Sequence, residues 1–370
     1  MKRIIFAVIV LINLFSFFST TAFAEDITVT DEDVFESLES SDFLPDNIKN
    51  TLEDAEIDIN TTMDAKSVLG FVIKAFKDII GSFDKNFLLL FVIIIYSSLF
   101  YKIIDNKPFK SIICYVTTLI ILVNTFVILK EIMYSAINTL RAVSEILTAV
   151  LPSFSAVLLM GGSTFTSLTE SASFAVVLVL LNTAVNYLLL PAFTFLMLLT
   201  VFERISPQLS EMNLVKFLKK NIITTLSFIT MLLLTVISYQ HIVSAGRDSV
   251  SGRTVKFAAA QFIPIIGAAF GESLRTVGAG LKYLKTTVGG AVMISLLITV
   301  LPTVLQIFTA KIFLNFLSFS AGLTGCKSEQ GVFESSVSLL DLLNAIIICC
   351  IVLSFLLVIL FVLSVFPISS

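Results

Sequence analysis

The sequence has few of the residues on which metal sites and disulfide scaffolds depend. Tryptophan is absent, and His241 is the single histidine among 370 residues. One histidine excludes the zinc-binding HExxH motif, which needs two. The four cysteines contain no CxxC pair, so buried thiols are expected rather than a zinc site or a disulfide framework. The sequence therefore predicts no metal, no cofactor and no catalytic cysteine.

Charge is also scarce, because only 14% of the residues are charged while 56% are hydrophobic. Soluble domains contain about 25% charged residues, and a water-exposed surface needs more polar groups than this chain supplies. We therefore predict an all-α, multi-pass helical protein of the cell membrane. The sequence contains no P-loop and no G-x-S-x-G elbow. We predict no enzyme activity and no nucleic-acid partner, with an intramembrane enzyme as the least favoured alternative.

The N-terminus has the features of a secretory signal peptide over residues 1–24. A basic start and an apolar core precede Ala22 and Ala24, which form an A-x-A cleavage site. An uncleaved first span is the alternative. In both cases residues 25–66 emerge on the extracytoplasmic side. This region contains fourteen acidic and two basic side chains, and it has too few apolar residues to form its own core.

Membrane segments follow the acidic region. Residues 67–85 place apolar side chains at helical spacing, which predicts an amphipathic helix at the membrane surface. A spanning helix needs about 20 apolar residues. Seven stretches are predicted to span, at 86–104, 111–129, 146–162, 172–200, 222–243, 289–313 and 341–366. A basic loop after the first stretch orients the first two spans with the N-terminal region outside.

The turn between the third and fourth spans resembles a transporter site. Gly161 and Gly162 precede the hydroxyl side chains of Ser163 and Thr164, and Glu170 follows. Glycine-broken segments of this kind coordinate ions or substrates in transporters. A tight turn in which Ser163 or Thr164 caps the next helix explains the same residues. The tight turn is favoured, because no second glycine-broken span repeats the pattern.

Ionisable side chains within apolar segments are costly and therefore candidates for function. Arg141 and Glu145 are four residues apart, so on a helix they can neutralise each other as an interfacial ion pair. His241, near the end of the fifth span, can act as a proton relay or as a polar residue at the membrane interface. The interfacial role is favoured, because this span contains no acid.

Residues 252–290 combine basic and small side chains. Glycines at helical spacing let membrane helices approach closely. We predict a subunit-packing segment with a basic edge, formed by Arg253, Lys256, Pro264, Gly267, Gly271, Arg275 and Gly278. Two roles remain open for it: packing within the chain's own bundle, and an interface with other subunits, including further copies of the chain.

The run RTVKFAAAQFIPIIG, residues 253–267, is followed by LKTTVGG at 284–290. These segments resemble the stage III sporulation protein AE family of endospore-forming bacteria, and the order of signal peptide, outer region and spans agrees. The resemblance implies a subunit of a channel or secretion-like complex in the mother-cell membrane around the forespore, needed for late forespore development. Its implied partners are membrane lipid, other membrane proteins of the stage III sporulation A operon, and a forespore membrane protein.

Two functions follow from the sequence. The first is a non-enzymatic membrane subunit of this complex, whose function depends on its packing surfaces. The alternative is a secondary transporter that binds a small solute or ion near Gly161–Glu170.

Overall fold

The computed structural model describes residues 87–100, 103, 107–205, 214–262, 267–324 and 327–364. Within these ranges the backbone is helical apart from short turns and contains no strand, which confirms the all-α class. The signal peptide at 1–24, the acidic region at 25–66 and the amphipathic helix at 67–85 lie outside the described residues. They stay predictions.

The described residues form seven α-helices. In chain order they are α1 (Phe87–Phe100), α2 (Lys107–Met160), α3 (Thr164–Thr183), α4 (Leu190–Ile205), α5 (Leu214–Phe262), α6 (Gly267–Thr324) and α7 (Lys327–Leu363). A π-helical segment, Ala184–Leu189, joins α3 to α4 without a break. Pro191 lies two residues after the end of this segment, and its missing N–H removes one α-helical hydrogen bond there.

Five helical stretches are long and apolar enough to cross a membrane. They are Pro108–Met160, Thr164–Glu203, Leu214–Val250, Val277–Leu323 and Lys327–Leu363, and the apolar helix Phe87–Phe100 is shorter. The chain is therefore a multi-pass membrane protein by the length and composition of its helices. The predicted number of seven crossings stays a prediction.

The structure differs from the sequence reading in α2. The predicted span 111–129 and residues 146–160 of the predicted span 146–162 lie on one continuous helix, with no break between them. The intervening residues 130–145 include charged side chains but neither glycine nor proline. Lysine, glutamate and arginine are good helix formers. Their charges end an apolar run without ending the helix.

Helix α7 occupies the centre of the bundle, where it packs against α2, α3, α4, α5 and α6. The side chains of α7 are buried on more than one face of the helix. Adjacent residues such as Leu339 and Leu340, or Ile346 and Ile347, point in different directions and are both buried. A helix that is apolar around its whole circumference is expected to be enclosed by others. The last predicted span, 341–366, falls largely on this helix.

Two sets of contacts fix the direction of the helices around α7. Thr117 of α2 contacts the start of α7 at Glu329, and the Phe154 ring of α2 stacks on Phe361 near its end, so the two helices run parallel. Helix α6 runs antiparallel to α7: Gly322 faces its start, and Gly289 packs so closely against its end that any side chain there would collide.

The cysteines only partly match the expectation of buried thiols. Cys350 is a buried free thiol and Cys349 is a half-buried one. Cys114 is disulfide-bonded, so the expectation is wrong for this residue. No spacing motif indicated it, because every other cysteine is far away along the chain.

Candidate functional site

The turn between α2 and α3 is closed by backbone hydrogen bonds. Gly162 has a φ of 79°, a conformation that favours glycine. The N–H of Ser163 donates to the carbonyl of Leu158 over 2.9 Å. Ser163 is the N-cap residue of α3, yet its side chain makes no capping hydrogen bond. The geometry is that of a tight turn, and the cap comes from elsewhere.

Asp248 of α5 provides that cap. Its Oδ1 accepts a hydrogen bond from the backbone N–H of Phe165 over 3.0 Å, and its Oδ2 accepts one from Thr166 over 2.7 Å. The side chain is almost completely buried. One carboxylate thereby satisfies two of the four N–H groups that a helix start leaves without partners, and its charge faces the positive end of the helix dipole. Asp248 fastens α5 to the start of α3.

Glu170 and His241 meet further along the same interface. The Oε1 atom of Glu170 lies 2.9 Å from Nδ1 of His241, and the residues are 3% and 8% exposed. His241 and Asp248 are seven residues apart and share one face of α5, as Glu170 and Thr166 share one face of α3. The acid that His241 lacks within its own span is therefore supplied by α3.

The contact between Glu170 and His241 is close but is not a well-aligned hydrogen bond. Both oxygens of Glu170 and Nδ1 of His241 are buried, and none of the three has a hydrogen-bond partner of good geometry among the residues that the structure describes. The structure thus brings Glu170 of the predicted solute site together with His241 and Asp248, which were not assigned to it. The only available signal was the seven-residue spacing of His241 and Asp248 on one helix face. An acid and an imidazole in contact can hold or release one proton.

A second cluster of charges joins three helices around Asp341 of α7. Its Oδ2 accepts a hydrogen bond from Nζ of Lys219 on α5 over 2.7 Å, and its Oδ1 lies 2.5 Å from Nζ of Lys311 on α6. Lys311 is buried, whereas the Asp341 side chain is about a third exposed. Lys216 and Glu334 form a more exposed ion pair nearby, with an N–O distance of 3.1 Å. The arrangement acts as a clamp between α5, α6 and α7.

Side chains from other helices also hold both ends of α7. At its start, the buried Oε1 of Glu329 accepts hydrogen bonds from the hydroxyls of Ser97 over 2.5 Å and Thr117 over 2.6 Å. At its end, Nζ of Lys285 on α6 donates to the carbonyl oxygen of Ser364. An acid at the first turn and a cation at the last both complement the helix dipole. The central helix is therefore fixed along its length.

The predicted subunit-packing segment is only partly described. Arg253 and Lys256 lie on α5, and Gly267, Gly271, Arg275 and Gly278 lie on α6, while Pro264 falls outside the described residues. Of these, Gly278 is buried within the chain, and the side chains at 251–276 are outside the description. The packing role stays a prediction.

Comparison with known proteins gives a family. The family model described as stage III sporulation protein AE matches residues 47–366. Stage III sporulation protein AE of Bacillus subtilis (strain 168) is 28% identical over 182 residues, which cover 48% of this chain and 44% of that relative. No solved structure matches the chain. Since the family match extends over far more than half of the residues, the chain belongs to the stage III sporulation protein AE family.

Proposed function

We propose that this sporulation-associated membrane protein is a non-enzymatic subunit of a channel or secretion-like complex between the mother cell and the forespore. The observation that carries the proposal is the family match over residues 47–366, which includes the whole described bundle. In this proposal the protein lies in the mother-cell membrane around the forespore, with its N-terminal region outside the cytoplasm. Its partners are other membrane proteins of the same operon and a protein of the forespore membrane.

The charges within the bundle support an architectural role. Asp341 binds lysines from two other helices, and Asp248 caps a third helix. Buried charges of this kind fix the relative positions of helices more than they add stability. A rigid bundle with a defined register is what a subunit needs when it presents surfaces to neighbours.

Deletion of the gene in its native host tests the proposal. We expect sporulating cells to arrest after engulfment, with small or collapsing forespores visible by membrane-stain microscopy. A copy of the intact gene at another locus is the control and restores spore formation. Normal spores in the deletion strain would contradict the proposed function.

The packing segment provides a test of assembly. The change Gly271→Leu places a bulky side chain in the predicted contact, so we expect the protein to leave its complex while staying in the membrane fraction. Gly278 is left unchanged, because it is buried within the chain. Co-purification of partners after detergent extraction measures the effect. Gly246→Leu is the control, because Gly246 lies on a helix with no atom within 4 Å of an added side chain. Retention of all partners by Gly271→Leu would contradict an interface at this segment.

The secondary transporter is the second candidate, and the Glu170–His241 pair favours it. Glu170 is a buried acid whose two oxygens both lack a well-aligned hydrogen bond among the described residues, and intramembrane acids mark proton and ion paths in transporters. Glu170→Gln separates the two candidates. Loss of spore formation in a complex that still assembles would favour transport through this site, whereas normal spores favour the architectural role.

A further inference from the structure

Helix α2 presents a polar stripe on its outer face. We define this α2 stripe as Lys130, Glu131, Asn138, Arg141, Glu145 and Thr148, all of which are exposed. At 100° per residue these positions fall within an arc of about 100°, and the 18-residue rise from the first to the last is about 27 Å. The opposite face of the same segment is buried, for example at Ile132, Ala136 and Leu140.

The charges of the α2 stripe face outward and not toward each other. Arg141 and Glu145 have the spacing of an ion pair, but the structure forms none between these two described residues. Two cations and two acids alternate along the stripe. Lys130 has its Nζ 5.8 Å from the ring centroid of Tyr134, which is exposed on the same face, whereas Arg141 and Glu145 do not neutralise each other.

The stripe lies beside the apolar centre of the bundle. Because α2 runs parallel to α7, with Thr117 beside Glu329 and Phe154 on Phe361, residues 130–148 are level with roughly residues 340–356 of α7. A second contact agrees, since the Thr139 hydroxyl lies 2.6 Å from that of Thr303, in the middle of the predicted span 289–313. From Asn138 to Thr148 the stripe is therefore level with the apolar middle of α7, the depth expected for the hydrocarbon core, whereas Lys130 and Glu131 are level with the charged cluster around Asp341.

The other side of the molecule differs at the same depth. Helix α5 runs parallel to α7, because Lys216 and Lys219 contact Glu334 and Asp341 in the same order. The α5 residues that follow, level with the centre of α7, expose large apolar side chains: Phe228, Met231, Leu232 and Val236. That surface suits lipid chains. The bundle therefore has an apolar side at α5 and a polar side at α2.

Lipid contact is unfavourable for the α2 stripe. Charged side chains are costly at the centre of a membrane helix, and the stripe places Arg141 and Glu145 at that depth. Beside it lies a shallow, open groove of about 630 Å³ whose lining is partly polar and partly apolar: Glu131, Tyr134, Ser135, Asn138, Thr139 and Ala142 of α2 and Thr299 of α6. This groove offers hydrogen-bonding groups and room for water.

We propose that the α2 stripe and its groove border a water-filled passage at bilayer depth, closed off from lipid by neighbouring subunits. The inference rests on the proposed function, because the single bundle does not enclose the groove. The stripe contains two cations and two acids, so this wall of the passage has no net charge. The passage therefore takes small hydrophilic solutes and ions of either charge.

Thiol labelling in native membranes tests this passage. Asn138→Cys, Glu145→Cys and Thr148→Cys place thiols on the stripe, and Met231→Cys and Val236→Cys place matched thiols on α5 at the same depth. The probe is a charged, membrane-impermeant methanethiosulfonate added to permeabilised sporangia, with the parent chain measured in parallel to subtract its native cysteines. Methanethiosulfonates react with thiolates, which need water, so we expect labelling at least about tenfold faster on the stripe than on α5.

Each other outcome overturns the passage. If the stripe thiols react as slowly as those on α5, lipid or a partner helix covers the stripe. If both sets react quickly, this part of the bundle lies outside the bilayer. Labelling is scored in variants that restore spore formation to the deletion strain. A deletion strain that sporulates normally would refute the proposed function by itself, whereas unreactive stripe thiols in functional variants refute only the passage.

Discussion

Asp341 and Glu170 are both acids inside the bundle, but their partners differ. Asp341 lies between Lys219 and Lys311, at 2.7 and 2.5 Å, whereas Glu170 faces His241 alone at 2.9 Å. The Asp341 side chain is 32% exposed and that of Glu170 is 4% exposed. At Asp341 one acid balances one of two cations. At Glu170, a single proton moved between the partners leaves both uncharged.

Asp341 therefore links helices through its charge, whereas Glu170 and His241 form a pair in which both partners can be neutral. When the charge of Asp341 is removed, two lysines remain together without an acid. When the charge of Glu170 is removed, a neutral histidine remains and no surplus charge is left. Neutralising substitutions of the same shape should therefore have unequal effects at the two positions.

The largest effect is expected for Asp341→Asn. Removing one partner of a buried ion pair costs about 3–5 kcal/mol, and the partial exposure of Asp341 favours the lower end of that range. Unfolding of the purified protein in detergent, followed by circular dichroism, measures the loss. Glu334→Gln is the matched control: its ion pair with Lys216 is exposed, so the change should cost less than about 1 kcal/mol. Equal losses in the two variants would show that Asp341 is not a clamp.

An intermediate effect is expected for Asp248→Ala, next to the Glu170 pair. Loss of a capping side chain costs about 0.5–2 kcal/mol. Because Asp248 caps only the start of α3, hydrogen exchange should rise at the amides of Phe165 and Thr166. Asp248→Asn, which keeps an acceptor, should recover part of the protection. Unchanged exchange at these two amides would rule out the cap.

The smallest effect is expected for Glu170→Gln. The amide keeps the size of the acid and can still hydrogen-bond to a neutral imidazole, so the free energy of unfolding should fall by less than about 1 kcal/mol. The same unfolding measurement provides the value. A loss as large as that of Asp341→Asn would mean that Glu170 is charged and that His241 depends on it, and the contrast between the two acids would disappear.

The fold class and the central helix could be predicted from the sequence. The low charge content requires lipid as solvent, and the apolar run at 341–366 falls on the helix with the most complete enclosure. The helix boundaries in α2 could not be predicted in this way. The first apolar run ends before Lys130 and the second begins at Ile146, but the helix continues across the charged residues between them. Arg141 and Glu145 then face outward together, and the expected ion pair is not formed between them.

The contacts of the candidate site could not be predicted from the sequence, for a different reason. Glu170 and His241 are separated along the chain by the rest of α3, the π-helical segment, α4 and the first half of α5. Local spacing indicates which face of α5 contains His241 and Asp248. It does not indicate which helix lies opposite, because the register between α3 and α5 is set by packing. The same holds for Asp341, whose lysines come from two different helices.

The central position of α7 has a consequence for the order in which the protein is made. This helix is synthesised after the other six that the structure describes, yet it provides the contact on which α2, α5 and α6 converge. Membrane helices first insert and then associate. Until α7 enters the bilayer, Lys219 and Lys311 have no Asp341 to bind, although α2 can already pack against α3 and α6. The surfaces of α2, α5 and α6 that contact α7 are then still uncovered, so completion of the bundle has to follow insertion of the last described helix.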